Sequence, residues 1–211
     1  AQGFDVATCS RKKEELEKLK TTMKHDYPGS NVYAISADLS DKVQVNSFCV
    51  FVRGLNRSVD VLVNNAGYFV PGEITSEPDG TLESMINANL YSAYHTTRGL
   101  ILLMKERKAG HIFNICSIAS FTAYSNGGSY AVSKFAMLGF SKCLRAELKG
   151  FGIRVTAVMP GATKTESWDG TDEPEERFMK PEDVAETIYA AYALSGRTVM
   201  EEVILRPQLG D

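Results

Sequence analysis

Apolar and polar residues follow two periods along this chain. Short apolar runs of strand length fall at Phe4–Cys9, Asn31–Ala37, Val59–Val63, His111–Cys116, Ile153–Met159 and Val199–Leu205. Between them apolar residues recur every three or four positions, the spacing of one face of a helix. Val45, Phe48, Cys49 and Val52 form such a stripe in Lys42–Leu55. The unbroken run Val59–Val63 suits a parallel strand covered on both faces. Leu82–Lys108 carries apolar residues on more than one stripe, so that helix is expected to cover the sheet and a partner as well. A further helix is expected over Ser129–Lys149, ending at Gly150 and Gly152, and a last one from Pro181, a residue suited to helix entry. Ala1-Gln2-Gly3 reads as the end of a helix, with Gly at the stop position.

Composition narrows the function classes. A chain of 211 residues with 44% hydrophobic content can bury a sizeable core, and we expect one domain spanning 1–211. Charged residues make up 23% and the net charge is −3, so no basic field points to nucleic acid. No apolar run approaches the ~20 residues of a membrane span. The four cysteines (Cys9, Cys49, Cys116, Cys143) lack metal-type spacing and the three histidines are isolated, so no metal site is expected. With no signal peptide evident, a cytoplasmic location is expected.

The candidate chemistry centres on Ser117, Tyr130 and Lys134. Ser117 ends the strand-like run His111–Cys116, and Tyr130 and Lys134 stand four residues apart, on one face of a helix. A phenol with a reference pKa of about 10 is a poor proton donor near neutrality. A neighbouring ammonium is expected to lower that value, while a serine hydroxyl can donate to an oxygen on which negative charge develops. Elsewhere, Ser10-Arg11-Lys12-Lys13 puts cations at a helix N-terminus, where the macrodipole prefers an anion. An anionic ligand would resolve that conflict. Asn64-Asn65-Ala66-Gly67 directly follows an apolar strand, and Pro160-Gly161-Ala162-Thr163-Lys164-Thr165 closes another.

Ser117, then Tyr130, then Lys134 resembles the active-site signature of the short-chain dehydrogenase/reductase family. The resemblance implies an α/β fold: a Rossmann-type doubly wound parallel sheet in a three-layer α/β/α arrangement. It also implies an NADP-dependent oxidoreductase that interconverts a small-molecule carbonyl and alcohol in a homodimer or homotetramer. It makes Ser117, Tyr130, Lys134 and Asn89 catalytic, with Asn89 holding a water that links the lysine to solvent and Asn87 as near competitor. Ser10 and Arg11 would meet the 2′-phosphate, favouring NADP over NAD. Asp38 and Leu39 would lie along the adenine. Asn65, Ala66, Gly67, Pro160, Gly161, Thr163 and Thr165 would contact the cofactor together with Tyr130 and Lys134. Glu166–Lys180 would be a mobile lid. The sequence departs from the family at its beginning: no G-x-G-x-x-G cluster occurs, so either missing residues or a large local defect in the sheet is expected. Among members, the chain resembles 3-oxoacyl thioester reductases and, through the tail Arg197–Pro207, bacterial sepiapterin reductases. A non-catalytic nucleotide-binding or structural protein on the same fold is the alternative of another class.

Overall fold

A computed structural model describes residues 2–165, 168 and 172–210. The elements alternate as the apolar periods require: β1 (Val6–Ser10), α1 (Lys13–Asp26), β2 (Val32–Ser36), α2 (Lys42–Gly54), β3 (Val61–Asn64), α3 (Thr81–Ile86), α4 (Ser92–Arg107), β4 (Gly110–Ile115), α5 (Gly128–Leu148), β5 (Ile153–Pro160), α6 (Pro181–Ala193) and β6 (Glu202–Leu205). All ladders are parallel, β1 with β2 and β3-β4-β5-β6 in order, so each connection is a crossover through a helix.

The four-stranded sheet is covered on both faces. On one, Val45, Phe48 and Val52 of α2, Leu100 and Met104 of α4 and Leu144 and Leu148 of α5 pack on Ile112, Ile153 and Val155. On the other, Phe113 and Val158 meet Ala191, with Val184, Ile188 and Tyr192 of α6 closing the layer. Alternation along β4 and β5 sends successive side chains to opposite layers. Burying each large apolar side chain contributes about 1.5–3 kcal/mol. Arg154 holds α6 in place by donating to the carbonyls of Tyr192 (2.8 Å) and Leu194 (3.0 Å) near its C-terminus, where the helix dipole favours a cation.

The order of strands breaks between β1 and β3. These strands do not pair, and a cleft of about 570 Å³ separates them, lined from one side by Val6, Thr8 and Cys9 and from the other by Val59, Val61 and Val63. Val63 is therefore 41% exposed, and β3 is not covered on both faces as its apolar sequence implied. Other boundaries move as well. β6 begins at Glu202 rather than Val199, and no helix occurs at Gln2-Gly3, although Gly3 has the left-handed backbone (φ 79°) of a helix stop. The stretch Leu82–Lys108 is one helical path, but Asn87–Tyr91 within it is a π-helical turn. Among the described residues no helix is long and apolar enough to cross a membrane, and the four cysteines are free thiols.

Three polar strand residues, His111, Asn114 and Thr156, are fully buried. His111 Nε2 lies 2.7 Å from Thr156 Oγ1, whose hydroxyl donates to the Met200 carbonyl at 2.6 Å. Thr156 must therefore accept from the imidazole, which places the proton on Nε2. Burial pushes the His111 pKa down to about 3, so it stays neutral. Asn114 accepts from Asn64 Nδ2 (2.8 Å) and donates to Ser141 Oγ (3.0 Å), while Asn64 also donates to Thr97 Oγ1 (3.1 Å). This satisfied network ties β3, β4, α4 and α5 together below the site.

Candidate active site

Ser117, Tyr130 and Lys134 meet where β4 ends and α5 begins, beyond the C-terminal edge of the sheet, the edge at which open α/β sheets bind ligands. The extended backbone at Ser117 stops β4 and starts a single 3₁₀ turn, Ile118–Ser120. Ser117 Oγ accepts from Ala119 N (3.1 Å), and its own N–H donates to Ser120 Oγ (3.1 Å). The turn engages one lone pair of Ser117 Oγ and leaves its O–H available to donate. It hydrogen-bonds the Tyr130 oxygen, which favours the phenolate.

Lys134 is 6% exposed, and its Nζ lies 5.7 Å from the Tyr130 ring centroid. That ammonium donates to the Ile115 carbonyl at 3.0 Å, using one of its three N–H groups. Burial pushes its pKa down to about 8, opposed by neighbouring Cys116. Here the structure departs from the expectation that the lysine lowers the phenol pKa. Tyr130 is pushed up from its ordinary value, first by burial, with the Ser117 hydrogen bond pulling the other way. Desolvation of the phenolate sets the direction, and the Lys134 ammonium donates to a backbone carbonyl rather than to the phenol. The ring itself is fixed by an edge-to-face contact with Phe69 (centroids 4.9 Å, 74°).

Asn89 sits in the π turn and is 1% exposed, whereas Asn87 is exposed. Such a turn offsets the helix register and often marks a functional position. The Asn89 amide accepts from Tyr68 N (2.8 Å) and donates to Tyr68 O (3.1 Å) and Ser133 Oγ (2.9 Å). Ser133 in turn donates to the Tyr130 carbonyl at 2.7 Å. The Asn89 side chain is thus spent on bracing the loop after β3 against the turn of α5 that carries Tyr130. Gly67 completes this packing. A Cβ there would stand 2.7 Å from Asn89 Oδ1 and 3.7 Å from Lys134 Nζ, so a side chain would displace the asparagine.

The remaining expected contacts also lie at strand C-termini. Ser10 ends β1 and Arg11 follows it, exposed, with its charge felt by both Glu15 and Asp38. The conflict between cations and helix dipole is partly resolved inside the chain: Glu15 accepts from Ser10 Oγ (3.0 Å) and pairs with Lys12 Nζ (2.7 Å). Asp38 is held by Ser40, whose N–H (2.9 Å) and hydroxyl (2.7 Å) both donate to it. Leu39 packs on the core, and Asn65 and Ala66 line the end of the cleft between β1 and β3. Gly161 N donates to Leu205 O (2.8 Å), and Thr163 Oγ1 donates to Gly161 O (3.0 Å). Thr165 is exposed. The expected lid falls partly outside the described residues. What is described is anchored: Met179 N donates to Ala162 O (3.0 Å), Lys164 N to Met179 O (2.9 Å), and Trp168 packs on buried Phe178 (4.8 Å).

Sequence reasoning missed Ser133 and Asn114. The signal for Asn114 was available, since an asparagine in an otherwise apolar strand has to find buried partners. Ser133 had no such signal, because serine is ordinary on a helix.

The comparisons with known proteins agree with this geometry. The short chain dehydrogenase family profile matches residues 1–176. Sepiapterin reductase of Chlorobaculum tepidum is 34% identical over 207 residues, 98% of this chain and 84% of that protein. A Thermococcus sibiricus alcohol dehydrogenase complexed with 5-hydroxy-NADP superposes with a TM-score of 0.91 at 24% identity, covering 99% of this chain and 88% of that one. The closed form of serine dehydrogenase complexed with NADP+ gives 0.82 at 27% identity, covering 97% and 85%. With a parallel sheet between two helical layers and the profile matching most of its length, the chain belongs to the short-chain dehydrogenase family of oxidoreductases.

Proposed function

We propose that this protein reduces a carbonyl to an alcohol with NADPH, using Ser117, Tyr130, Lys134 and Asn89. The observation that carries this reading is the convergence of a donor hydroxyl, a half-buried phenol and a buried ammonium at one strand–helix junction. The residues present fit a nicotinamide dinucleotide. Two N–H groups of the buried Lys134 ammonium remain for ribose hydroxyls, and Gly67 keeps the adjoining floor free of a side chain. Pro160, Gly161, Thr163 and Thr165 would hold the nicotinamide end, Asn65 and Ala66 the middle, and Asp38 and Leu39 the adenine. Arg11 with Ser10 would take the 2′-phosphate. When bound, the reduced cofactor supplies the hydride.

The chain's own residues do the rest. Ser117 donates a hydrogen bond to the substrate oxygen as negative charge grows on it. Tyr130 delivers the proton to that oxygen, and the burial that raises its pKa keeps the phenol protonated at neutral pH, as a donor must be. Lys134 orients the cofactor ribose and stabilises the phenolate left behind. The Asn89 amide holds the α5 turn, so a water passing protons from solvent to Lys134 is held by the main chain of the π turn. The aromatic neighbours of Tyr130, Phe69 and Tyr124, together with the C. tepidum relative, favour a second and narrower reading, reduction of a pterin side-chain carbonyl.

Turnover of NADPH with ketones, 3-oxoacyl thioesters and sepiapterin tests both readings. Consumption with no carbonyl compound would defeat the first, and turnover of ketones without sepiapterin would defeat the second. Cofactor choice gives a sharper expectation. Arg11→Ala is expected to weaken NADPH by on the order of tenfold, the worth of one charge-assisted hydrogen bond, and to leave NADH nearly unchanged. Equal losses in the two Michaelis constants would contradict the assignment. The expected assembly is supported by the exposed apolar residues Tyr91 of the π turn, Leu102 of α4 and Val132 and Phe135 of α5. A homodimer or homotetramer is expected in light scattering, and a monomer at micromolar concentration would count against it.

A further inference from the structure

The helix that carries Tyr130 and Lys134 begins poorly by its own sequence. Its N-cap is Gly127 and its first residue Gly128, so no side chain of its own caps it. Its first N–H groups need acceptors all the same. They find one 52 residues away in sequence: the Glu77 carboxylate accepts from Ser129 N at 3.4 Å and, closely, from Ser129 Oγ. Ser129 is 1% exposed and directly precedes Tyr130.

The segment bearing Glu77, residues 71–80 between β3 and α3, grips the same place twice more. Gly72 N donates to Asn126 O at 3.1 Å. Gly128 has φ +38°, and a Cβ on it would meet Gly72 O at 2.4 Å and Glu77 Oε2 at 2.9 Å. The segment is itself braced, with Glu73 O accepting from Ser76 N (2.9 Å) and Glu77 N (2.8 Å). A carboxylate also suits a helix N-terminus electrostatically.

We propose that Glu77 is a positioning residue for catalysis, capping α5 from across the chain and thereby holding Tyr130 in register with Ser117 and Lys134. This rests on the reading of Tyr130 as proton donor. Glu77 touches no reacting atom; it acts through Ser129. The grip is local to the first turn, one full turn short of Lys134, so cofactor binding is not expected to depend on it.

The test measures kcat, the Kd for NADPH by fluorescence and the melting temperature for Glu77→Ala, Glu77→Gln, Ser129→Ala and the Glu77→Ala/Ser129→Ala double variant. Misplacing a catalytic group slightly is costly, so Glu77→Ala is expected to lose about tenfold or more in kcat, with NADPH affinity within about twofold. Glu77→Gln, which keeps an oxygen acceptor for Ser129, should recover most of that loss. The double variant should be no worse than Glu77→Ala alone, because the two residues form one contact. Undiminished kcat in Glu77→Ala overturns the proposal, as do additive losses in the double variant. A fall in melting temperature with kcat intact below it overturns it too, since Glu77 would then be structural only. Should Glu77→Ala fail to fold, Glu77→Gln and Ser129→Ala decide: full rate in Ser129→Ala contradicts the proposal. Inactive Tyr130→Phe beside fully active Glu77→Ala defeats the Glu77 role alone, while an active Tyr130→Phe defeats the reading beneath it.

Discussion

Tyr130→Phe is expected to lose ~10²–10⁴-fold in turnover, the usual contribution of a positioned general acid, while binding NADPH nearly as well as the parent. The substitution removes one hydroxyl and leaves the ring against Phe69, so the fold around it has no reason to change. Ser133 bonds the backbone of Tyr130, not its side chain, and Asn89 holds Ser133. Position is therefore kept and only the proton is lost. Steady-state kinetics with any substrate the parent reduces will check this, together with a fluorescence titration of NADPH. A variant turning over at the parent rate would assign the proton to another group.

Lys134→Met is expected to move activity and stability in opposite directions. Burial holds the ammonium pKa at about 8, against an ordinary 10.5. At ~1.4 kcal/mol per unit, the folded state carries a charge penalty on the order of 3 kcal/mol at neutral pH. The sign follows from the lowered value. Below about pH 8 both states hold the proton and the penalty is complete; between 8 and 10.5 the unfolded chain binds more protons, so stability rises with pH. Methionine of similar length removes the charge and leaves the Ile115 carbonyl without its donor, a loss of about 1 kcal/mol. The variant should therefore melt a few degrees higher than the parent at pH 7, at ~2–4 °C per kcal/mol for a chain of this size, and should lack the rise above pH 8. Turnover and NADPH affinity should both fall, because the proposed mechanism has Lys134 serve both the phenol and the ribose. A lower melting temperature at pH 7 would show that the ammonium stabilises the folded chain.

Both predictions rest on residues that their spacing and the family resemblance bring forward, and their nearness follows from local rules. Four positions on a helix put Tyr130 and Lys134 on one face whatever surrounds them, and the apolar run before Ser117 could only be a buried strand. Local rules of this kind also give α2 its buried stripe and its cap, where Asp41 accepts from Val43 N at 2.7 Å. What stayed hidden depends on contacts between distant segments. The contact of Glu77 with Ser129 requires knowing that residues 71–80 lie against the start of α5. The bracing of Asn89 requires Tyr68 and Ser133, each ordinary in its own stretch. The π turn at Asn87–Tyr91 is invisible because it preserves the helical path and shifts only its register. The direction of the Tyr130 pKa is hidden for a related reason. The four-residue spacing of phenol and cation is written in the sequence, but the burial that sets the direction is a property of the assembled layers.

The most direct test of the account follows the hydride and the proton together. The parent and Tyr130→Phe are each given NADPH deuterated at its transferable position and a carbonyl substrate found in the turnover screen, under single-turnover conditions with saturating cofactor. The account predicts deuterium on the carbinol carbon of the product formed by the parent, and its appearance at least about a hundredfold more slowly with Tyr130→Phe. Label arriving equally fast in both, or product formed without label, would contradict it.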